Sequence, residues 1–198
     1  MEKETSRNQL ILDGWILEKL ICHDDIAAFD CGDHDLTEYF RHDSLKYRSE
    51  LMTQTYCFYP CGYSQKDAVA LVDFCNDSLS RNLIPNCDKR KINHRKRGYK
   101  TFPALKITRL GVDVIHRRTG IGSRLLDAVK LFFLTDNRSG CRFLTVDAYR
   151  TAQKFYEHNG FVRACLPEED DKPDSPTIPM FFDLRRIDPE SFSVSLCP

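Results

Sequence analysis

The residues best suited to bind a ligand form a short loop between a predicted strand and a predicted helix. The loop consists of Arg117, Arg118, Thr119, Gly120, Ile121, Gly122 and Ser123. The first turn of a helix has unpaired N–H donors and the positive end of the helix dipole. The two glycines let a ligand approach these donors closely. The pattern therefore predicts an anion site suited to phosphate.

A run of basic residues before that strand is the second group that could bind phosphate. It contains Lys89, Arg90, Lys91, Arg95, Lys96, Arg97 and Lys100, with no acidic residue among them. The run lies in a polar stretch, residues 75–100, which lacks hydrophobic periodicity and is predicted to be a long loop. A run of this kind is typical either of a solvated loop or of a phosphate-binding patch, and the sequence leaves both open.

The strand and the helix beside the glycine loop are predicted from the spacing of apolar residues. Before the loop, Leu105 and Ile107 alternate with polar residues on one phase, and Leu110 and Val112 continue on the opposite phase. This shift indicates a β-bulge, although a strand buried on both faces would give the same pattern. After the loop, one apolar face at helical spacing consists of Ile121, Leu125, Leu126, Val129, Phe132 and Phe133. It predicts an amphipathic helix.

The remaining elements are predicted to alternate around this centre. Further strands are expected at residues 15–21, 55–59, 68–74, 142–147, 161–165 and 177–184. A helix is expected over residues 35–51, with Asp33 or Asp35 as its N-cap, and a shorter helix ends at Asn159-Gly160. The order predicts an α/β or α+β sheet with helices on both faces. We expect a single domain over 1–198, with its core at about 14–185 and a loosely held tail at 188–198.

Composition excludes several classes of protein. The formal net charge of the 198 residues is +0, so no global field favours nucleic acid or membrane. No apolar run approaches the length of a membrane span, and the N-terminus shows no secretory signal. The nine cysteines are irregularly spaced. We therefore expect reduced thiols in a cytoplasmic protein, and no metal site.

Two motifs together resemble those of a known superfamily. The pattern Arg117-x-x-Gly120-x-Gly122, between a strand and a helix, resembles the acetyl-CoA signature of the GNAT acetyltransferases. The pattern Phe155-Tyr156-x-x-x-Gly160-Phe161, one strand later, resembles the second motif of the same superfamily. The resemblance covers roughly residues 14–185. It implies the GNAT fold, with a mixed, mostly antiparallel central sheet, a bulged and splayed central strand, and helices on both faces.

The resemblance narrows to the GNAT toxins of bacterial toxin–antitoxin systems. The segments similar to these toxins are Phe29-Asp30-Cys31-Gly32, Phe102-Pro103-Ala104, Arg109-Leu110-Gly111-Val112-Asp113 and Met180-Phe181-Phe182-Asp183-Leu184. Toxins of this kind acetylate the α-amine of aminoacyl-tRNA and stop translation. The resemblance implies aminoacyl-tRNA, a small DNA-binding antitoxin and a second copy of the chain as partners.

The resemblance also implies a role for each motif residue. The pyrophosphate of acetyl-CoA is expected on the N–H groups of Arg118 to Ser123. The pantetheine arm is expected along Leu110, Gly111 and Val112, where one N–H group would stabilise the oxyanion. Tyr156 matches the tyrosine that donates a proton to the departing thiolate.

The general base and the acceptor stay open at this stage. A free α-amine has a pKa of about 8, so a useful fraction is neutral without a dedicated base. Asp113 could orient the loop or accept a proton, and nothing in the sequence decides between them. Besides charged tRNA, the acceptor could be a protein amine or a small-molecule amine. A third hypothesis is a CoA-binding regulatory module without catalytic activity. The presence of Tyr156, the residue that matches the catalytic tyrosine, argues against this hypothesis.

Overall fold

The computed structural model describes residues 9–90, 92, 98–135, 138–166 and 174–188. The strands within these residues are β1 (Gln9–Leu12), β2 (Trp15–Lys19), β3 (Gln54–Pro60), β4 (Ala70–Ser80), β5 (Thr101–Val112), β6 (Phe143–Tyr149), β7 (Val162–Arg163) and β8 (Thr177–Asp183). The helices are α1 (His34–Glu38), α2 (Ser44–Ser49), α3 (Asn86–Lys89), α4 (Ile121–Leu134) and α5 (Gln153–His158). Strands and helices alternate through the middle of the chain, as the sequence predicts.

The strands form one eight-stranded sheet in the order β1-β2-β3-β4-β5-β6-β8-β7. The sheet is mostly antiparallel, and β5 and β6 are the parallel pair. Their register runs from Ala104 opposite Phe143 to Ile107 opposite Val146, while β5 itself continues to Val112. The predicted fold class, a mixed α/β sheet that is mostly antiparallel, is confirmed.

Contacts divide the chain into two compact units, and β4 and β5 contribute residues to both. The first unit comprises residues 1–75, 108–136 and 187–198. Its core contains Leu20, Phe40 and Leu71, all completely buried. The predicted face of α4 is buried as well, and the Phe132 ring meets the Tyr56 ring edge-on at 5.1 Å. The amphipathic helix is therefore as predicted, with its apolar face in the core.

The second unit comprises residues 76–107 and 137–186. Its core contains Phe102, Phe143 and Phe181, and the rings of Phe143 and Phe181 meet edge-on with centroids 5.9 Å apart. Edge-on aromatic pairs add roughly 0.5–1.5 kcal/mol to the free energy gained from burying their area. This packing fixes β6 against β8 and thereby positions α5, which follows β6.

The predicted helix over residues 35–51 is found as α1, a π-helical turn at Tyr39–Asp43, and α2 in direct succession. Asp33 is its N-cap, because Oδ1 of Asp33 accepts a hydrogen bond from the N–H of Leu36 at 3.0 Å. Side chains with a carboxylate satisfy the unpaired donors of a first helical turn. Of the two N-cap candidates, the structure therefore selects Asp33.

The structure corrects two predictions, one about where the loop after β4 begins and one about the oxidation state of the cysteines. The expected long loop begins later than residue 75, because β4 continues to Ser80. Asp77, in the polar end of that strand, accepts a hydrogen bond from the hydroxyl of Thr145, a partner that local composition cannot reveal. The cysteines Cys22, Cys31, Cys57, Cys75, Cys87, Cys141 and Cys165 are free thiols. Cys61 is disulfide-bonded, so the expectation of uniformly reduced cysteines is wrong there.

A buried carboxylate connects the central strands of the first unit. Asp73 on β4 is fully buried and accepts hydrogen bonds from the hydroxyls of Tyr39 at 2.9 Å, Thr55 at 2.7 Å and Thr108 at 2.6 Å. A guanidinium nitrogen of Arg109 lies 3.8 Å from the same carboxylate, and its central carbon lies 3.5 Å from the centroid of the Tyr39 ring. Burial raises the pKa of Tyr39 to about 12, so its hydroxyl stays a donor at neutral pH.

Thr108 and Arg109 are consecutive residues of β5, and both reach Asp73. In a regular strand, consecutive side chains point to opposite faces of the sheet. An irregularity of β5 here, where the apolar phase of the sequence shifts, would explain the shared partner, so the β-bulge stays a prediction. Thr108 directly follows Ile107, the last residue that β5 pairs with β6.

We expect Asp73→Ala to lower the free energy of unfolding by about 3–5 kcal/mol, because three hydroxyl donors would lose their buried acceptor. Denaturant unfolding of the purified protein measures the change. Glu50→Ala removes an exposed carboxylate and should change stability by less than about 0.5 kcal/mol. Equal effects of the two substitutions would contradict a structural role for Asp73.

Candidate active site

The glycine loop of the first unit has a backbone that favours the approach of a ligand. After a short 3-10 turn at Val114–His116, Arg118 has a φ of +61° and Gly120 a φ of +87°. A positive φ is costly for arginine, and such strain is concentrated at functional loops. A Cβ added at Gly120 would meet no atom within 4 Å, so the space in front of this residue is open.

The N-terminus of α4 leaves backbone donors available at this loop. In the described part of the chain, the N–H groups of Gly120, Ile121 and Gly122 have no hydrogen-bond acceptor. Ser123 differs, because its N–H group donates to the carbonyl oxygen of Gly120 at 3.1 Å. Donors of this kind at the start of a 14-residue helix form a site suited to a phosphate or pyrophosphate. Of the N–H groups that were expected to bind the ligand, those of Gly120, Ile121 and Gly122 are therefore available, whereas that of Ser123 is used within the helix.

The loop is anchored to the segment before α1, a long-range connection that the local residue pattern does not reveal. The carboxylate of Asp113 accepts hydrogen bonds from the N–H groups of Ile115 at 3.0 Å and Asp30 at 3.2 Å. The N–H group of Val114 donates to the carbonyl oxygen of Asp30 at 2.8 Å. The carboxylate of Asp113 therefore holds the start of the loop in position.

Arg117 strengthens the same connection. Its guanidinium donates a hydrogen bond to the carbonyl oxygen of Cys31, and the neighbouring Gly32 packs against it. A Cβ at Gly32 would lie 2.8 Å from Cγ1 of Val114 and 3.2 Å from the guanidinium nitrogens of Arg117. Arg117 was expected to bind the ligand, whereas here its guanidinium holds the adjoining segment in place.

The end of β5, which was expected to hold the pantetheine arm, packs closely at Gly111. A Cβ there would lie 3.1 Å from Cβ of Cys31 and 3.2 Å from Cε2 of Phe40. Leu110 and Val112, on either side, are half-buried. The small residue therefore lets the last residues of β5 lie directly against the segment before α1.

Tyr156 lies in the second unit, on α5. The residue is 6% exposed, and its ring meets those of Phe155 and Phe161 edge-on at 5.1 and 5.3 Å. Its hydroxyl makes no hydrogen bond to any residue that the structure describes. Burial raises the pKa of Tyr156 well above its usual value, so the hydroxyl keeps its proton at neutral pH. A protonated hydroxyl without an internal acceptor can donate to a ligand.

The basic run is described only in part. Lys89 ends α3, and Arg90 and Lys100 are exposed, all within the second unit. Lys91, Arg95, Lys96 and Arg97 lie outside the described residues. A role of this run in binding RNA therefore stays a prediction.

Among the residues that the structure describes, no group of three or more His, Cys, Asp or Glu side chains is placed to hold a metal ion. No helix in the described ranges has both the length and the apolar character needed to cross a membrane.

Comparison with known proteins agrees with both motifs. Residues 88–163 match the sequence model of the acetyltransferase (GNAT) domain. No curated protein matches the sequence. The match confirms the predicted GNAT acetyltransferase domain over these residues, and GNAT acetyltransferases use acetyl-CoA.

Solved structures with the same fold include the GNAT toxins KacT and AtaT. A tyrosine-to-phenylalanine mutant of KacT aligns with a TM-score of 0.67 and 19% identity, covering 88% of this chain and 97% of KacT. AtaT in complex with acetyl-methionyl-tRNAfMet aligns with a TM-score of 0.64 and 20% identity, covering 87% and 96% of the two chains. AtaTR bound with acetyl-CoA aligns with a TM-score of 0.63 and 20% identity, covering 88% and 96%.

We expect Gly32→Ala to destabilise the protein by about 2–4 kcal/mol and to weaken the binding of acetyl-CoA. The added methyl group combines a strained positive φ with a clash against the loop residues Val114 and Arg117. Gly14→Ala is the matched control, because Gly14 has a φ of +79° and open space around it. It should cost about 1 kcal/mol and leave acetyl-CoA binding unchanged. Denaturant unfolding and calorimetric titration measure both, and equal losses in the two variants would contradict the anchoring of the loop.

Proposed function

We propose that this chain, a GNAT acetyltransferase by its matched domain and its fold, transfers an acetyl group from acetyl-CoA to the α-amine of an aminoacyl-tRNA. The observation that carries the proposal is the set of available N–H donors at Gly120 to Gly122, in front of open space. These residues fit a pyrophosphate because they combine backbone donors with the positive end of a long helix. The tRNA acceptor is supported by the shared fold with AtaT, which has been solved with acetyl-methionyl-tRNAfMet.

Acetyl-CoA supplies the acetyl group as a thioester when it is bound. The donors at the start of α4 hold the negative charge of the pyrophosphate, with Asp113 and Arg117 keeping the loop in position. An N–H group near Leu110 or Val112 donates to the acyl oxygen, which gains charge as the amine attacks. One donor of this type typically contributes about 10²–10³ in rate.

Tyr156 is proposed as the general acid. The amine nitrogen forms a bond to the acetyl carbon, the carbon–sulfur bond breaks, and the thiolate takes the hydroxyl proton of Tyr156. The tyrosinate regains a proton from the amine that has been acylated, through solvent, so that no charge is left. The buried, protonated hydroxyl supports this role. A dedicated base is unnecessary, because an α-amine with a pKa of about 8 is partly neutral at physiological pH.

The proposal has consequences for partners and location. Charged tRNA is present in the cytoplasm, so we propose that the protein acts there. An antitoxin is proposed as a partner by likeness to AtaT, which has been solved bound to the C-terminus of the antitoxin AtaR. A second copy of the chain is proposed on the resemblance to the toxins alone.

We expect Tyr156→Phe to lower turnover by about 10²–10⁴, because the variant cannot donate a proton to the thiolate. Acetyl-CoA should still raise the melting temperature of this variant as it does for the wild type. Tyr99→Phe removes the hydroxyl of an exposed tyrosine in the same unit and should keep full activity. Unchanged single-turnover rates for Tyr156→Phe would show that Tyr156 only packs.

The acceptor is tested with labelled acetyl-CoA and two substrates, charged tRNA and the corresponding free amino acid. We expect transfer to charged tRNA alone. Neutralising Lys89, Arg90, Lys91, Arg95, Arg97 and Lys100 should weaken RNA binding without sequence preference, and acetyl-CoA affinity should change little. Each lost phosphate contact should reduce the log–log salt slope by about 0.7–0.9. Equal transfer to the free amine, or identical salt slopes, would instead support an acetyltransferase for small-molecule or protein amines.

A further inference from the structure

A pocket beside the π-helical turn of the first unit is lined in part by an arginine that pairs with no residue in the described part of the chain. The pocket has a volume of about 440 Å³ and is formed within the first unit. It is lined by His23, Asp24, Ala27, Arg41, His42 and Lys46. None of these residues belongs to the glycine loop, to the end of β5 or to α5, so the pocket is separate from the residues assigned to acetyl transfer.

Arg41 is the unusual member of this lining. The residue is half-buried, and its Nε atom is completely buried without a hydrogen-bond partner. Its guanidinium forms neither an ion pair nor a hydrogen bond with any residue in the described ranges. A partly buried charge without a partner is unfavourable, and buried polar atoms in native proteins are nearly always satisfied. Such a group is explained if an anionic ligand supplies the missing partner.

Arg41 is the cation of this lining that has no carboxylate partner among the described residues. The fixed charges of the lining are those of Arg41, Lys46 and Asp24, and Lys46 is paired with the carboxylate of Asp43. The ammonium of Lys46 contacts Asp43 at 2.8 Å, which uses one of its three donors. His42 lies 3.6 Å from Glu38, an exposed pair that screens little of the charge of Arg41.

The walls of the pocket are held in place by the fold. The preceding residues of the π-helical turn, Tyr39 and Phe40, are buried in the core, which fixes the backbone that carries Arg41. Across the pocket, Nε2 of His23 accepts a hydrogen bond from the N–H group of Leu45 at 3.2 Å. Single π-helical turns often mark functional sites in proteins. The arginine therefore projects from a rigid frame and not from a mobile loop.

We propose that this pocket binds a phosphate group, with the guanidinium of Arg41 as the principal ligand and the ammonium of Lys46 as the second. The planar guanidinium presents parallel donors that match two oxygens of a phosphate, and no described residue uses any of these donors. The volume of the pocket exceeds that of a single phosphate ion. It can therefore receive the phosphate of a nucleic-acid backbone or of a small phosphorylated molecule, which share this chemistry.

The first experiment titrates the full-length protein with inorganic phosphate at constant ionic strength, with acetyl-CoA present to occupy the glycine loop. The melting temperature of the wild type and of Arg185→Gln, an exposed arginine elsewhere, should rise and saturate. Arg41→Gln should lower the affinity for phosphate by about tenfold or more. Arg41→Lys, which keeps the charge and loses the planar fork, should fall between the two.

The melting temperature of Arg41→Gln without phosphate is the control for correct folding of this variant. Because Arg41 has no partner to lose among the residues that the structure describes, Arg41→Gln should melt at the same temperature as the wild type, or higher, when phosphate is absent. An equal phosphate-dependent rise in the wild type and in Arg41→Gln would overturn the proposal. The comparison depends only on phosphate, so it stands or falls apart from acetyl transfer.

The second experiment identifies the source of the phosphate with a short RNA hairpin of unrelated sequence. If the source is a nucleic-acid backbone, Arg41→Gln should reduce the log–log salt slope of binding by about 0.7–0.9. If RNA binding is unchanged while the response to inorganic phosphate is lost, the ligand is a small phosphorylated molecule. Both results support a phosphate site at Arg41, and they assign its occupant.

Discussion

The first unit depends on one buried carboxylate. Asp73 lies in the middle of β4 without contact with water, and it accepts hydrogen bonds from a helical turn, from β3 and from β5. Removing a charge from water is costly unless hydrogen bonds replace the lost hydration. The three hydroxyls supply those bonds, and Arg109 adds a nearby positive charge. Satisfying this one group fixes β5 just where its pairing with β6 ends, and so fixes the residues expected to hold the acetyl group.

The same strand leads into the glycine loop, and the loop is in turn held by the segment before α1. Asp113 and Arg117, which lie at either end of the 3-10 turn, bind the backbone of Asp30 and Cys31. The N–H donors of Gly120 to Gly122 can remain available because side chains around them, and not the donors themselves, hold the loop in position. A preorganised site of this kind loses little free energy to ordering when the ligand binds.

The two anion sites proposed for the first unit use different parts of the chain. The glycine loop offers backbone N–H groups and a helix dipole, which suit a ligand held in one orientation by several donors. The proposed pocket at Arg41 offers a guanidinium and an ammonium. Such side chains can bind a backbone phosphate whatever the nucleotide sequence beside it. A protein that joins a CoA ester to a nucleic-acid substrate would need both kinds of recognition.

Residue spacing over one or two neighbouring elements predicted α4 and the glycine loop before it, and the resemblance to the GNAT acetyltransferases implied the mostly antiparallel sheet. The sequence could not predict the hydrogen bonds of Asp73, the attachment of Arg117 to Cys31, or that Arg41 has no partner among the described residues. Thr55 and Thr108 lie 18 and 35 residues from Asp73, and Arg117 lies 86 residues from Cys31. The sequence around a polar residue can be the same whether its side chain is solvated or buried. Only the tertiary structure decides whether such a residue is hydrated, satisfied by a distant group, or left to bind a ligand.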